Sequence, residues 1–181
     1  NVFFDDTSRE VIARETEILQ IKDSSANKGG VTSSSIAEVL TGFLLGDDYE
    51  KRLLKNPRSK AKFIREVFDL IRRNAVAETK MLLALHAATG DPLYKLSVRT
   101  SEQLYALQGR LYGRLGDLLR NEALVRAVLK SYIPASLVKI VGMKRILEIL
   151  DEPELRPYRN AIVTKKIAAS ALYRHAAEWE T

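Results

Sequence analysis

The chain has 181 residues, of which 46% are hydrophobic, and a formal net charge of +6 at pH 7. This length and composition suffice for one substantial core or two small ones, and they exclude an intrinsically disordered chain. Cysteine is absent, which excludes disulfides, thiolate metal sites and cysteine catalysis. Only two histidines remain as nitrogen ligands, so we predict no metal site.

The distribution of apolar and charged residues limits the choice of partners. No apolar run approaches the ~20 residues that a membrane-spanning helix needs, and the opening NVFFDD lacks the basic-then-apolar order of a secretory signal. We therefore expect no membrane association and a reducing compartment, the cytoplasm or the mitochondrial matrix. Basic residues are interleaved with acidic ones along the chain, which indicates a solvated helical surface and no nucleic-acid partner.

The first 35 residues predict an α/β arrangement. Residues 2–4 and 18–22 are short β-type runs, and a helix-compatible stretch separates them at 9–15. Parallel strands joined by a helix belong to buried sheets, so we expect further strands upstream. The glycine- and serine-rich stretch DSSANKGGVTSSS, residues 23–35, then predicts a loop. A loop that follows the carboxyl end of such a strand is in the right place to bind a ligand.

From residue 36 onward the apolar spacing is helical. It predicts a helix over residues 36–44 and a helix opened by a capping box at residues 100–103. It also predicts a long amphipathic helix, traced by apolar residues from Phe63 to Leu85, that follows the Asn56-Pro57 breaker and stops at residues 89–92. Further helices are expected over 121–132, in short pieces to residue 150, and from 159 to 178. The chain is therefore predicted to be mainly α, with an α/β part over residues 1–46 and a helical part over 47–181.

Two interpretations of the NKGGV stretch, residues 27–31, come from its residue types alone. The first is the deviant phosphate loop of ParA-type ATPases, which needs Gly-Lys-Ser/Thr next; Thr-Ser-Ser stands there and Lys28 comes too early, which disfavours this interpretation. The second is a plain turn, since Asn and Gly tolerate left-handed backbone, followed by a serine that caps the next helix.

A family resemblance supplies a third interpretation. The stretch DSSANKGGVTSSSIAEVL, residues 23–40, resembles the glutamate dehydrogenase segment Pro-Asp-x-x-Ala-Asn-x-Gly-Gly-Val-x-x-Ser, in the variant typical of the large-subunit NAD-specific enzymes. Residues 71–78 and 133–137 also resemble the helical C-terminal region of those enzymes. The resemblance implies the C-terminal portion of such an enzyme. Residues 1–46 would be the C-terminal edge of a doubly wound, Rossmann-like NAD-binding α/β domain, and residues 47–181 a helical C-terminal domain.

The resemblance also implies roles for five residues. Asn27 would face the nicotinamide end of the cofactor NAD, and Asn1, the Asn of a Gly-Ala-Asn motif, would be a further cofactor contact. Gly29 and Gly30 would let the backbone pass close to NAD, where a Cβ would clash. The Ser34 hydroxyl would bind the side-chain carboxylate of the substrate glutamate, because a charge-assisted hydrogen bond can select a dicarboxylic amino acid.

The reaction implied is oxidative deamination of L-glutamate to 2-oxoglutarate and ammonia with hydride transfer to NAD, in a homo-oligomeric full-length enzyme. The chain has no Gly-x-Gly-x-x-Gly turn, and the family's substrate-binding lysines and catalytic aspartate come from an earlier domain. We therefore assign no catalytic residue and expect the chain alone to be inactive. The alternative is a non-enzymatic helical interaction module, whose basic faces around residues 58–73 bind an acidic partner.

Overall fold

The computed structural model describes residues 4–26, 28–176 and 178. Within these ranges the chain is helical and contains no β-strand, which confirms the mainly α prediction. The α-helices are α1 Asp6–Glu15, α2 Asp23–Ala26, α3 Lys28–Ser33, α4 Thr41–Leu45, α5 Pro57–Thr89, α6 Leu93–Gly113, α7 Leu115–Arg120, α8 Glu122–Tyr132, α9 Ala135–Val141, α10 Met143–Leu150 and α11 Arg156–His175. Two π-helices, Ser34–Leu40 and Glu50–Leu54, and a 3₁₀ turn, Gly46–Asp48, lie between α3 and α5.

The strand predicted over residues 18–22 is wrong. This stretch has no regular structure, and Ile18 and Leu19 are 64% and 53% exposed. A strand needs a neighbour to receive its backbone hydrogen bonds, and the described residues supply none. The stretch is held by a side chain instead, because Gln20 Nε2 donates to the backbone oxygen of Arg9 at 2.9 Å. The strand predicted at residues 2–4 lies almost wholly outside the described residues, and the Rossmann-like edge stays a prediction.

The long helix α5 lies between the two breakers named from the sequence. Asn56 caps its first turn by accepting a hydrogen bond from Ser59 N at 3.0 Å, and Pro57 fits there because the first N–H groups of a helix have no partner within it. The helix ends at Gly90, whose φ of 75° is left-handed. The capping box predicted at Thr100 is wrong, because α6 already begins at Leu93 and Thr100 Oγ1 donates to Leu96 O at 2.8 Å.

Two groups of buried side chains form the interior. The first core joins the Ser34–Leu40 π-helix and α4 to α5 and α8–α11, and the second core joins α5, α6 and α11. Helices α5 and α11 contribute to both and therefore connect them. The fully buried members of the first core are Ile36, Leu40, Leu53, Leu129, Leu137, Ile146, Leu150 and Val163, and those of the second are Leu82, Leu85, Leu96 and Leu172.

The first core takes residues from both sides of position 46. Ile36 and Leu40 precede that position, yet they pack in the same core as Phe63 and Leu129. The division into residues 1–46 and 47–181 stays a prediction. This packing nevertheless holds the Ser34–Leu40 π-helix, which continues the glycine- and serine-rich segment, against α5 and α8.

Candidate functional site

The glycine- and serine-rich segment, residues 23–35, is largely helical, and the prediction of a loop was wrong. It consists of α2, α3 and the beginning of the Ser34–Leu40 π-helix. Glycine and serine are weak helix formers, so packing rather than propensity stabilises this helix. Serine hydroxyls also donate back to the preceding turn: Ser33 Oγ to Gly30 O at 2.8 Å and Ser35 Oγ to Thr32 O at 3.1 Å.

Two polar contacts tie the start of the segment to helices on either side. The Asp23 carboxylate accepts a hydrogen bond from the guanidinium of Arg9, a buried residue of α1. The Ser25 hydroxyl bonds to the hydroxyl of Ser97, which is buried on α6. Because Arg9 is desolvated, its ion pair with Asp23 is more strongly coupled than a pair at the surface. These contacts hold α2 against α1 and α6.

A second electrostatic anchor of the segment is an ion pair to α5. Lys28 Nζ lies 2.5 Å from Glu78 Oε1, and the Glu78 side chain is 8% exposed whereas that of Lys28 is 47% exposed. The Tyr173 hydroxyl on α11 also bonds to Glu78, and burial together with this carboxylate raises the pKa of Tyr173 to about 12. Glu78 therefore connects α3, α5 and α11.

The two glycines have different surroundings. A Cβ added to Gly29 would lie 3.4 Å from Ile71 Cγ2, an ordinary van der Waals distance, so Gly29 faces α5 but the packing there does not demand a glycine. Gly30, the next residue of the same short helix, is exposed. The left-handed glycines of the described chain are Gly46, Gly90 and Gly142, and neither Gly29 nor Gly30 is among them. Backbone conformation therefore does not require glycine at either position.

The Ser34 side chain is exposed at the start of the π-helix. Its hydroxyl donates to Glu38 Oε1 at 3.4 Å, one turn further along. A hydroxyl can exchange such a long, exposed contact for a better acceptor at little cost. A carboxylate that replaced Glu38 as acceptor would however lie near the Glu38 charge, which opposes it.

The π-helix after Ser34 is held by tyrosine hydroxyls from distant helices. Tyr132 of α8 donates to Ser35 Oγ at 3.4 Å, and Tyr158 of α11 donates to Ser35 O at 3.4 Å. Burial and the neighbouring Tyr132 raise the pKa of Tyr158 well above its usual value. Thr41 Oγ1 donates to Ile36 O at 2.7 Å, and this bond supports the wide turn. Wide π turns of this kind often lie at functional sites.

The predicted site residues are only partly described. Gly29, Gly30 and Ser34 lie on one continuous helical segment, whereas Asn1 and Asn27 lie outside the described residues. Glu78, Tyr173 and Tyr158, which hold this segment, were not found from the sequence. Each is separated from the segment by more than forty residues, and nothing in the local pattern identifies them.

The segment by itself does not fit a dinucleotide. Two cavities of the described chain, one between residues 13–20 and the α5–α6 junction and one around residues 42–52 and 141–155, contain no residue of the segment on their walls. Lys28, the cation closest to the glycines, is already paired with Glu78. The segment can therefore supply at most one wall of a cofactor cleft.

Two other kinds of site, a metal centre and a membrane-spanning helix, are absent from the described residues. No cluster of three or more His, Asp or Glu side chains among them could hold a metal ion. None of the helices in the described ranges is both long enough and apolar enough to cross a membrane.

Comparison with known proteins supplies relatives for almost the whole chain. It is 29% identical to "Glutamate dehydrogenase 2" of Dictyostelium discoideum over 97% of the chain and 16% of that protein. It is 32% identical to the "NAD-specific glutamate dehydrogenase" of Neurospora crassa, over 78% of the chain and 14% of that protein. The protein of the same name in Saccharomyces cerevisiae is 28% identical over 97% of the chain and 16% of its own length.

The matches cover most of this chain but only a small part of each relative. The chain spans about a sixth of the length of the relatives it matches. No family model matches the chain, and no solved structure matches it. The resemblance inferred from residues 23–40 is nevertheless confirmed. Over most of its length, this chain is a relative of a segment of the NAD-specific glutamate dehydrogenases.

Proposed function

We propose that this chain is the C-terminal part of an NAD-dependent enzyme that oxidatively deaminates L-glutamate to 2-oxoglutarate and ammonia. The observation that carries the proposal is its similarity, over most of the chain, to proteins named NAD-specific glutamate dehydrogenases. NAD would supply the hydride acceptor of the reaction. The whole enzyme, which we take to be a homo-oligomer, would complete the cofactor cleft of which this chain forms one wall.

Within that enzyme the helical body would position the glycine- and serine-rich segment. Gly30 and Ser34 are exposed on a helical segment that is held by Lys28 against Glu78 and by Ile36 in the first core. A wall held in this way keeps its shape when ligand binds, which lowers the ordering cost of binding. By the family resemblance, Asn27, Gly29 and Gly30 would border NAD together with Asn1, and Ser34 would bind the glutamate side chain.

The role of Ser34 can be tested by kinetics of the enzyme that carries this chain. A hydrogen bond to a charged group contributes about 1.5–3 kcal/mol, so Ser34→Ala should lower kcat/KM for glutamate about 10- to 100-fold. Ser33→Ala is the matched control, because that hydroxyl donates to Gly30 O inside the helix. Turnover of aspartate, which is shorter by one methylene, should change less in the Ser34 variant.

The possible outcomes test the proposed reaction and the proposed role of Ser34 separately. Equal effects of the Ser33 and Ser34 substitutions would remove Ser34 from the substrate site but leave the reaction in place. Absence of glutamate-dependent NADH formation would contradict the proposed function itself. The isolated 181-residue chain should form no NADH from glutamate, since the glycine turn for the pyrophosphate is missing from it.

One surface favours a second candidate function, an interaction module for an acidic partner. Residues 57–73 at the start of α5 carry six Lys and Arg against two acidic residues, and Phe68 among them is exposed. Electrostatic binding of this kind weakens steeply with salt. Saturable binding of poly-L-glutamate that disappears at high ionic strength, in an enzyme without glutamate-dependent NADH formation, would favour this function over the first.

A further inference from the structure

Helix α5 carries a line of three arginines on its exposed side. Arg58, Arg65 and Arg72 stand seven residues apart, and all three are exposed. Seven residues make about two turns, which places such side chains on one face of a helix within roughly 20°. Their Cα atoms are therefore spaced by about 10.5 Å along the helix axis. We call Arg58, Arg65 and Arg72 the arginine stripe.

The described residues do not neutralise the charges of the arginine stripe. Arg58 and Arg65 make no hydrogen bond and no ion pair with them. Arg72 Nη2 lies 3.9 Å from Asp69 Oδ1, and the Arg72 side chain is 79% exposed. The carboxylate of Glu66 is occupied elsewhere, because it accepts hydrogen bonds of 2.7 and 2.6 Å from a backbone N–H and a serine hydroxyl at the start of α9. The stripe therefore keeps its positive charge at the surface.

Three apolar side chains lie beside the arginines. Ile64 is 42% exposed, Phe68 65% and Val76 48%. Phe68 follows Arg65 by three residues and precedes Arg72 by four, and Val76 follows Arg72 by four, which are the spacings of neighbours on a helix surface. Aromatic and arginine side chains together are the residues that most often dominate binding between proteins. The arginine stripe and this apolar row therefore have the composition of a protein-binding surface.

The spacing of the arginine stripe indicates the shape of the partner. A helix that packs at a small angle to α5 repeats its contact face every seven residues, which matches the repeat of the arginines. In an extended strand, residues three apart have nearly the same spacing but point to opposite faces. One acidic residue per heptad of a partner helix would meet each arginine, and an apolar residue three or four positions away would cover the apolar row.

Two other classes of partner fit this surface less well. The backbone of a nucleic acid would satisfy the arginines but would leave the aliphatic side chains of Ile64 and Val76 in water. A helix that binds an anionic membrane needs a broad apolar face. The broad apolar face of α5 is buried in the two cores, and the apolar row beside the arginine stripe is narrow. An acidic protein helix is the class that satisfies both the charges and the row.

We propose that the arginine stripe and the apolar row of Ile64, Phe68 and Val76 bind an acidic amphipathic helix of a protein partner. The acidic side chains of that helix pair with the arginines, and its apolar side chains cover the row. The inference rests on the second candidate function, an acidic partner, and names the structure of that partner. It does not depend on the proposed dehydrogenase reaction, since an enzyme that performs the reaction presents the same surface.

The probe is a synthetic peptide of three identical heptads, Leu-Ala-Gln-Glu-Ala-Ala-Gln, in which a glutamate follows each leucine by three residues. A matched peptide carries lysine in place of each glutamate. Fluorescence anisotropy of the labelled peptides measures their binding to the full-length protein that contains this chain. Because unlike charges attract and like charges repel, the glutamate peptide should bind more tightly by about tenfold or more at low salt, and added salt should reduce this difference.

Substitutions at exposed positions locate the binding on α5. Arg65→Ala should weaken the glutamate peptide about 1.5- to 5-fold, whereas Arg110→Ala, at an exposed site on α6, should not. Phe68→Ala should weaken it about 5- to 30-fold, because truncation of an aromatic anchor is costly. Tyr105→Ala, at a side chain of α6 that is 68% exposed, is the matched control. Replacement of all three arginines of the stripe by glutamate should reverse the preference, so that the lysine peptide binds more tightly.

Several results would overturn the inference. Equal binding of the glutamate and lysine peptides would do so, and so would equal effects of the Phe68 and Tyr105 substitutions. Poly-L-glutamate is kept from forming a helix at neutral pH by repulsion between its charges, so equally tight binding of it would contradict a helical partner but leave an acidic partner in place. Tighter binding of duplex DNA or of phosphatidylserine vesicles, lost with the same arginine substitutions, would assign the stripe to another macromolecule.

Discussion

The glycine- and serine-rich segment and the helix α5 on which it lies owe their structure to different things. Helix α5 carries local signals for both of its ends, Asn56 with Pro57 at the start and Gly90 after the end. The segment consists of weak helix formers and has no such signals. Local signals therefore suffice to predict α5, whereas the segment is helical because contacts such as that of Lys28 with Glu78 hold it against α5.

The largest effect should come from the packing that fixes the segment. Ile36 is 1% exposed and anchors the π-helix in the first core. Ile36→Ala should cost about 2–5 kcal/mol in the free energy of unfolding, because burial is lost and a cavity is left. Val31→Ala, at a side chain that is 72% exposed, is the control and should cost little. Chemical denaturation measures both, and similar costs would mean that the segment is not held by this core.

A smaller effect is expected at the electrostatic anchor. Glu78→Gln removes the charge that pairs with Lys28 and that accepts from Tyr173. We expect a loss of about 1–3 kcal/mol, since Lys28 is half-exposed and regains water. Amide hydrogen exchange of residues 28–33 should accelerate, whereas Glu102→Gln, at an exposed site on α6, should leave it unchanged. Unchanged exchange in the Glu78 variant would show that packing alone holds α3.

Alkaline pH should test the same anchor through Tyr173. Its pKa in the folded chain is raised to about 12, above the usual 10.0. Between these values the folded state keeps a proton that the unfolded state loses, so stability falls as the pH rises from 10 to 12. Tyr173→Phe should make this fall shallower in urea denaturation, and Tyr105→Phe should not. A slope identical to that of the unsubstituted chain would place Tyr173 in water rather than against Glu78.

The smallest structural effect should be at Ser34. Its hydroxyl is exposed and makes only the 3.4 Å contact to Glu38. Ser34→Ala should therefore change stability by less than about 0.5 kcal/mol. A calorimetric melting scan checks this, and a larger loss would mean that any kinetic effect of the substitution reports on folding instead of substrate binding.

The elements that the sequence predicted correctly are those whose signals are local. Asn56, Pro57 and Gly90 mark the two ends of α5 within a few residues of the atoms they affect. The strand at 18–22 and the loop at 23–35 were wrong, because β-type residues form a strand only beside another strand and weak helix formers form a helix when packing supplies the energy.

The candidate site shows the same limit. The sequence identified the segment and its family from residues 23–40, and it named Gly29, Gly30 and Ser34. It could not identify Glu78, which lies fifty residues from its partner Lys28. It also could not show that Gly29 faces Ile71, because the contact depends on how α3 lies across α5.

The sequence by itself determined the helical class, the bounds of the long helix and the relationship to glutamate dehydrogenases, since each depends on residue order alone. Tertiary structure decided which groups meet. It paired Lys28 with Glu78 and brought the hydroxyls of Tyr132 and Tyr158 to Ser35. Hydrogen bonds and ion pairs act over a few ångströms, so chain folding, and not distance along the chain, determines which of them form.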